Sequence, residues 1–154
     1  MNNNDTEIEK VIRQYISPLL HLSLATVQNN TPWVCELHFA YDDDLNLYFR
    51  SRKSRRHSQE LVSNPNVAGN IMKEHGPNDD ATGVYFEGTA KLLEPGDEQN
   101  VAFQCIKDRL QANDSILEEA QGEDGHQFYK ITVSNWYFFG LIGETYDKHK
   151  LDKE

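Results

Sequence analysis

The chain is poor in the residues that carry covalent and membrane chemistry. Its 154 residues include two cysteines, two methionines and five prolines, and no apolar run approaches the roughly 20 residues of a membrane-spanning helix. The opening stretch, MNNNDTEIEK, has neither the basic nor the apolar region of a secretory leader, so the expected location is the cytoplasm, away from any membrane. Cys35 and Cys105 are distant from one another, with no CxxC pairing and no histidine at ligand spacing. Both are expected to be reduced core residues, with no metal site. Positive charge is also scarce: 15 Lys and Arg stand against 25 Asp and Glu, a net charge of −10. Such a surface repels a phosphate backbone, which excludes extended nucleic-acid binding. No repeat, low-complexity tract or linker divides the chain, so residues 1–154 read as a single globular domain.

What is present begins with an amphipathic helix. Ile8, Val11, Ile12, Tyr15, Ile16 and Leu19 recur at helical spacing, with Thr6 and Glu9 as a capping box and Pro18 limiting the far end. The period then switches to two. HLSLATVQNNTPWVCELHFAYDDDLNLYFRS reads as three strands, broken at the Asn29-Asn30 turn and at an acidic tip, Asp42 to Asp44, that reads as a solvated turn. A short helix follows in SRRHSQELVSNP, with Ser54 or Ser58 as N-cap and Asn64-Pro65 as the stop. VAGNIM and GVYFEGTAKLLE are strands, Asp97 to about Gln121 is helical, and FYKITVSNWYFFGL is a closing strand. This order predicts a mainly β fold, a small antiparallel barrel with helices outside it. The aromatic run WYFFGL is too apolar to stand open to water, which predicts self-association.

Against the general acidity, RSRKSRRH (residues 50–57) places five of the basic side chains within eight positions. The cluster spans a strand end and the first turn of the short helix, where cations oppose the helix dipole by about 0.3–1 kcal/mol each. A mobile solvated loop is one reading. The other is a socket for a small anion held jointly by backbone N–H groups and guanidinium groups, and the opposed dipole favours it.

The succession LATV, TPWV, LYFRS, SRRH, ELVSNPNVAGNI and GVYFEGTAKLLE resembles the FMN-binding split barrels related to pyridoxamine 5′-phosphate oxidase, in particular the small single-domain members that include general-stress-type proteins. The resemblance is strongest over residues 20–93 and rests on the order and spacing of these pieces. It implies a six-stranded Greek-key split barrel that forms a homodimer, with FMN in a groove at the subunit interface. It places the flavin phosphate against Arg56 and His57, with Ser51 and Ser54 as hydroxyl donors and Arg50 and Arg52 as secondary candidates. The ring is implied to lie along Cys35, Glu36, Leu37 and His38, largely through backbone groups, with Trp136 covering it from the other protomer.

The chain also departs from the oxidases themselves. His57 stands where they carry Lys, which implies phosphate binding sensitive to pH near the imidazole pKa. Gly83 stands where they carry Gln, and the tail GETYDKHKLDKE lacks their Arg-x-His element, so oxidation of vitamin B6 is not expected. The expectation is an FMN-dependent oxidoreductase of a small molecule, with NAD(P)H as a candidate reductant and no motif marking catalytic residues. The alternatives are a non-catalytic flavin- or haem-binding protein on the same barrel, with His38 or Cys35 as axial ligand, and a scaffold that has lost its cofactor.

Overall fold

A computed structural model describes residues 3–152. Helix α1 (Asn3–Ile16) buries Ile8, Ile12 and Ile16 against the sheet. It begins upstream of Thr6, so the Thr6/Glu9 pair lies inside the helix and does not cap it. The Glu9 carboxylate instead accepts a 2.8 Å hydrogen bond from Arg13 one turn later. Strands β1 (His21–Gln28) and β2 (Thr31–His38) form a hairpin whose two turn residues, Asn29 and Asn30, both take positive φ, 50° and 57°. That is the turn whose twist matches paired strands, and asparagine tolerates it.

The second strand is shorter than its alternation suggested. β2 stops at His38, and β3 (Ala40–Tyr41) folds back onto β4 (Leu47–Arg52). Asp42 organises the tip between them: its carboxylate accepts hydrogen bonds from the Asn46 amide (2.8 Å), the Asn46 side chain (3.0 Å) and the Tyr48 hydroxyl (2.8 Å). Helix α2 (Arg56–Ser63) and strands β5 (Asn66–Ile71) and β6 (Gly83–Leu92) follow. The helix expected from Asp97 to Gln121 is two pieces, α3 (Asp97–Leu110) and α4 (Ile116–Glu119), because Gln111 turns left-handed at φ 53° and ends α3. The closing strand β7 (His126–Ile142) turns at Gly143 into β8 (Thr145–Asp152), so the tail is a strand.

All pairings are antiparallel, in the order β2-β1-β5-β6-β7-β4-β3 with β8 on β7. The fold is a split barrel with flanking helices, as the resemblance implied, with eight strands in place of six because β3 and β8 join the sheet. The 17-residue β7 supports it by pairing with β4, β6 and β8 along its length. Its register against β6 shifts between Glu87 and Gly88, where a Cβ on Gly88 would run into the Thr132 carbonyl. The shift requires glycine and bends the sheet at that point.

The main core joins α1 to the inner face of the sheet through Leu24, Phe49, Phe86, Ile131 and Trp136. A second cluster, Ala40, Tyr48, Phe103, Ile106 and Phe128, seats α3 on the opposite face of β3 and β4. Apolar residues on both faces of β4 therefore serve two cores. The closing aromatic run is also covered within the chain: Trp136 and Phe138 point into the main core, and Phe139 packs edge-on against Tyr146 of β8 at 5.2 Å. Leu141, at the end of the run, stays 58 % exposed.

Candidate functional site

The basic segment leaves β4, which is antiparallel to the start of β7, and turns into α2. Neither Ser54 nor Ser58 caps the helix. Arg55 occupies the N-cap position without a side-chain hydrogen bond, and the first turn carries no acidic residue. Ser54 is exposed, while Ser58 is turned inward at 3 % exposure beside the Tyr129 phenol.

The two residues matched to the phosphate pair behave differently. His57 is buried, and its Nε2 lies 2.7 Å from the Ser51 hydroxyl, so Ser51 and His57 are brought together. Burial, then the charge of Arg55, lower the His57 pKa, with Glu60 opposing more weakly. The imidazole is therefore neutral at neutral pH, and the expected titration near its ordinary value is displaced downward. Arg56 stays at the surface. Its Nε donates a 2.8 Å hydrogen bond to Glu60, and its guanidinium carbon lies 4.3 Å from the centre of the Trp33 ring. Its terminal amino groups have no further partner among the described residues. Arg52 Nε is buried with no acceptor. Lys53 and Arg55 are exposed. The free terminal donors of Arg56 are of the kind that grip an oxyanion such as a phosphate monoester, while Ser51 and the neutral His57 pair with one another.

Burial of a neutral His57 has a consequence for stability. Its folded-state pKa lies below its unfolded value, so the unfolded chain binds the additional proton as pH falls below about 6.5. The stabilisation is fully present above that value and is lost on acidification toward the folded pKa. Denaturant unfolding between pH 7.5 and 5 is expected to show this loss, and His57→Gln is expected to flatten it. An unchanged slope in the variant would assign the acid sensitivity to other groups.

A cavity of about 420 Å³ lies farther along β2, inside the roughly 300–1,000 Å³ range of small-molecule sites. Glu36, Leu37 and His38 of β2 line it, together with Arg50 of β4, His126 of β7, and Ile106, Leu110 and Ala112 in and after α3. β2 is an edge strand paired only with β1, so its outer backbone groups are not used by a neighbouring strand and are available to a ligand. The structure thus gathers Glu36, Leu37, His38 and Arg50. Cys35 lies outside the lining and packs toward the main core. Burial, then Glu36 and Glu60, push its thiol up to about 11, which keeps it protonated and disfavours it as a metal ligand.

Arg50 is committed to the cavity wall and stands apart from the phosphate candidates. It donates to Glu119 of α4 at 2.7 Å and to the His126 carbonyl at 3.1 Å, while its Nε is buried without an acceptor. Glu119 also meets His126 Nδ1 at 2.7 Å. The Arg50 and then the His126 hydrogen bonds hold the Glu119 carboxyl down at about 2. The His38 ring lies tilted at 46° against that of its cross-strand partner His21, ring centres 4.2 Å apart. Trp136 is the clearest correction. It is 0 % exposed and packs against Phe86 at 5.6 Å in the main core, so it is not placed to cover a ring bound at the surface.

No local pattern in the sequence marks His126, Glu119, Ile106 or Leu110 as neighbours of one site. The Arg52–His126 pairing that brings them in is a tertiary register with no local signal. The partners of Arg56 did leave one: Glu60 follows at the i+4 helical spacing.

Among the described residues, no helix is long and apolar enough to cross a membrane. The family model described as pyridoxamine 5′-phosphate oxidase matches residues 8–140. A UPF0306 protein, plu4501, of Photorhabdus laumondii is 27 % identical over 100 residues, 64 % of this chain and 69 % of that protein. Among solved structures, General Stress Protein 26 of Bacillus anthracis superposes with a TM-score of 0.58 at 21 % identity, covering 87 % of this chain and 92 % of its own. HutZ, the haem storage protein of Vibrio cholerae, superposes with a TM-score of 0.63 at 18 % identity, covering 80 % and 88 %. A family match across nearly the whole barrel, on a sheet with this topology and this strand-to-helix turn, shows that the chain belongs to the pyridoxamine 5′-phosphate oxidase family.

Proposed function

We propose that the protein is a homodimeric FMN-binding oxidoreductase acting on a small molecule. The observation that carries this reading is that, within a member of this family, one edge strand serves both parts: Trp33 of β2 lies under the Arg56 guanidinium of the α2 turn, and Glu36–His38 of the same strand line the cavity. In that arrangement Arg56 and Arg52 bind the phosphate, and Ser51 and His57 shape its seat. The outer backbone of β2 orients the ring, and Ile106 and Leu110 exclude water from the cavity. FMN, when bound, supplies the hydride chemistry. Self-association is supported by the outer face of β1, β2, β5 and β6. Ala25, Val34, Ala68, Gly69 and Tyr85 line a shallow depression there, and Val34 is 61 % exposed.

A second reading, haem binding, is favoured by one observation: His38, its ring against that of His21, places an imidazole at the cavity wall, and HutZ is a haem storage protein on this fold. Spectroscopy separates the two. Titration with FMN is expected to saturate at one flavin per chain, with the bound flavin reduced by NADH or NADPH and the protein sedimenting as a dimer. A Soret band on adding haem, with no FMN uptake, would replace the flavin reading. A monomer in sedimentation would remove the interface groove from it.

A further inference from the structure

The order of Arg56 and Glu60 is the less favourable one for a helical ion pair, since each charge lies toward the wrong end of the helix dipole. Glu60 is also 3 % exposed, where a carboxylate is costly unless it is paired. A solvated helix face has no use for such an arrangement. Both carboxylate oxygens are engaged: Thr26 of β1 donates to Oε2 at 2.5 Å, and Arg56 Nε donates to Oε1 at 2.8 Å. These hydrogen bonds, Thr26 first and then Arg56, lower the Glu60 pKa, with burial opposing them. The guanidinium therefore spends one donor, its Nε, on Glu60. Its face lies over Trp33, 4.3 Å from the ring centre, while the side chain remains 46 % exposed.

We propose that Trp33 and Glu60 are positioning residues that hold the Arg56 guanidinium in place with its terminal fork free to grip the phosphate of the bound ligand. The proposal rests on the phosphate-ester reading above and extends it to residues that touch no ligand themselves. Arginine carries substantial rotamer freedom, and fixing it beforehand removes part of the ordering cost from binding. The two holders act differently. Trp33 restrains the guanidinium plane without opposing charge. Glu60 fixes Nε but also repels an arriving anion, so glutamine, whose carbonyl oxygen still accepts the Nε–H, preserves the geometry and removes the repulsion.

The test measures FMN and riboflavin affinities by fluorescence titration for the parent, Trp33→Leu, Trp33→Phe and Glu60→Gln, and repeats Trp33→Leu in an Arg56→Ala background. Trp33 is 41 % exposed, so its replacement leaves the core intact. Trp33→Leu is expected to weaken FMN roughly three- to thirtyfold while leaving riboflavin unchanged. Trp33→Phe should recover most of that loss, and Glu60→Gln should keep or improve FMN affinity. In the Arg56→Ala background, Trp33→Leu should have no further effect. A parent that binds the two ligands equally would remove the phosphate reading itself. A parent that prefers FMN, with the preference intact in Trp33→Leu, would overturn the positioning proposal alone. Equal losses for FMN and riboflavin would do the same, by assigning Trp33 to the ring or the fold.

Discussion

Arg56→Ala is expected to weaken FMN about tenfold to more than a hundredfold while leaving riboflavin affinity nearly unchanged. The arginine has two free terminal amino groups, and each charge-assisted hydrogen bond to phosphate contributes about 1.5–3 kcal/mol. The structure adds a second consequence that the sequence did not suggest. Arg56 neutralises the buried Glu60, so its removal leaves a carboxylate bonded only to Thr26. Lower thermal stability is therefore expected along with the lost affinity, and Arg56→Ala combined with Glu60→Gln should recover stability without recovering FMN. Titrating both ligands against the parent and the two variants separates the effects. A loss of riboflavin equal to that of FMN would mean that Arg56 supports the fold and does not grip phosphate.

Trp136→Ala is expected to destabilise the protein by about 3–5 kcal/mol, the cost of emptying a large aromatic site in a packed core. Trp136 is 0 % exposed, on the central strand β7, and packs against Phe86 of β6. Trp136→Phe should cost much less. The indole Nε1 is buried without an acceptor, and removing such a donor relieves a penalty of roughly 1–3 kcal/mol that offsets part of the lost packing. Denaturant unfolding of both variants measures this. If Trp136 instead covered a bound ring from a second protomer, Trp136→Ala would lose ligand with its unfolding midpoint unchanged, and the core assignment would be wrong.

The site was legible in the sequence where it is built from consecutive residues. The basic turn, the Asn-Pro stop after α2 and the strand Cys35 to His38 are local patterns, and Glu36 to His38 do line the cavity. Roles that came from the resemblance meet a different packing at three positions. The resemblance sets His57 against the phosphate, yet α2 turns it inward against Ser51, and burial favours the neutral ring. The resemblance sets Trp136 over the ring from the other protomer, yet its parity on β7 points it at Phe86. Arg50 reads as part of the phosphate cluster, yet the β4–β7 register delivers it to Glu119, 69 residues away, and so to the cavity wall.

The sequence by itself determined the elements whose signals are short-range: the α1 stripe, the Asn29-Asn30 hairpin, the alternation of β6 and the basic turn into α2. Helical and strand periods and turn residues act over a few positions, so they are written in the order of amino acids. Only the tertiary structure decided that the tail closes the sheet as β8, that β4 is buried on both faces, and which basic side chain stays free. Each of these depends on which strand lies beside which. A one-residue change of register would turn every side chain of a strand to its other face, and nothing local to the strand records that choice.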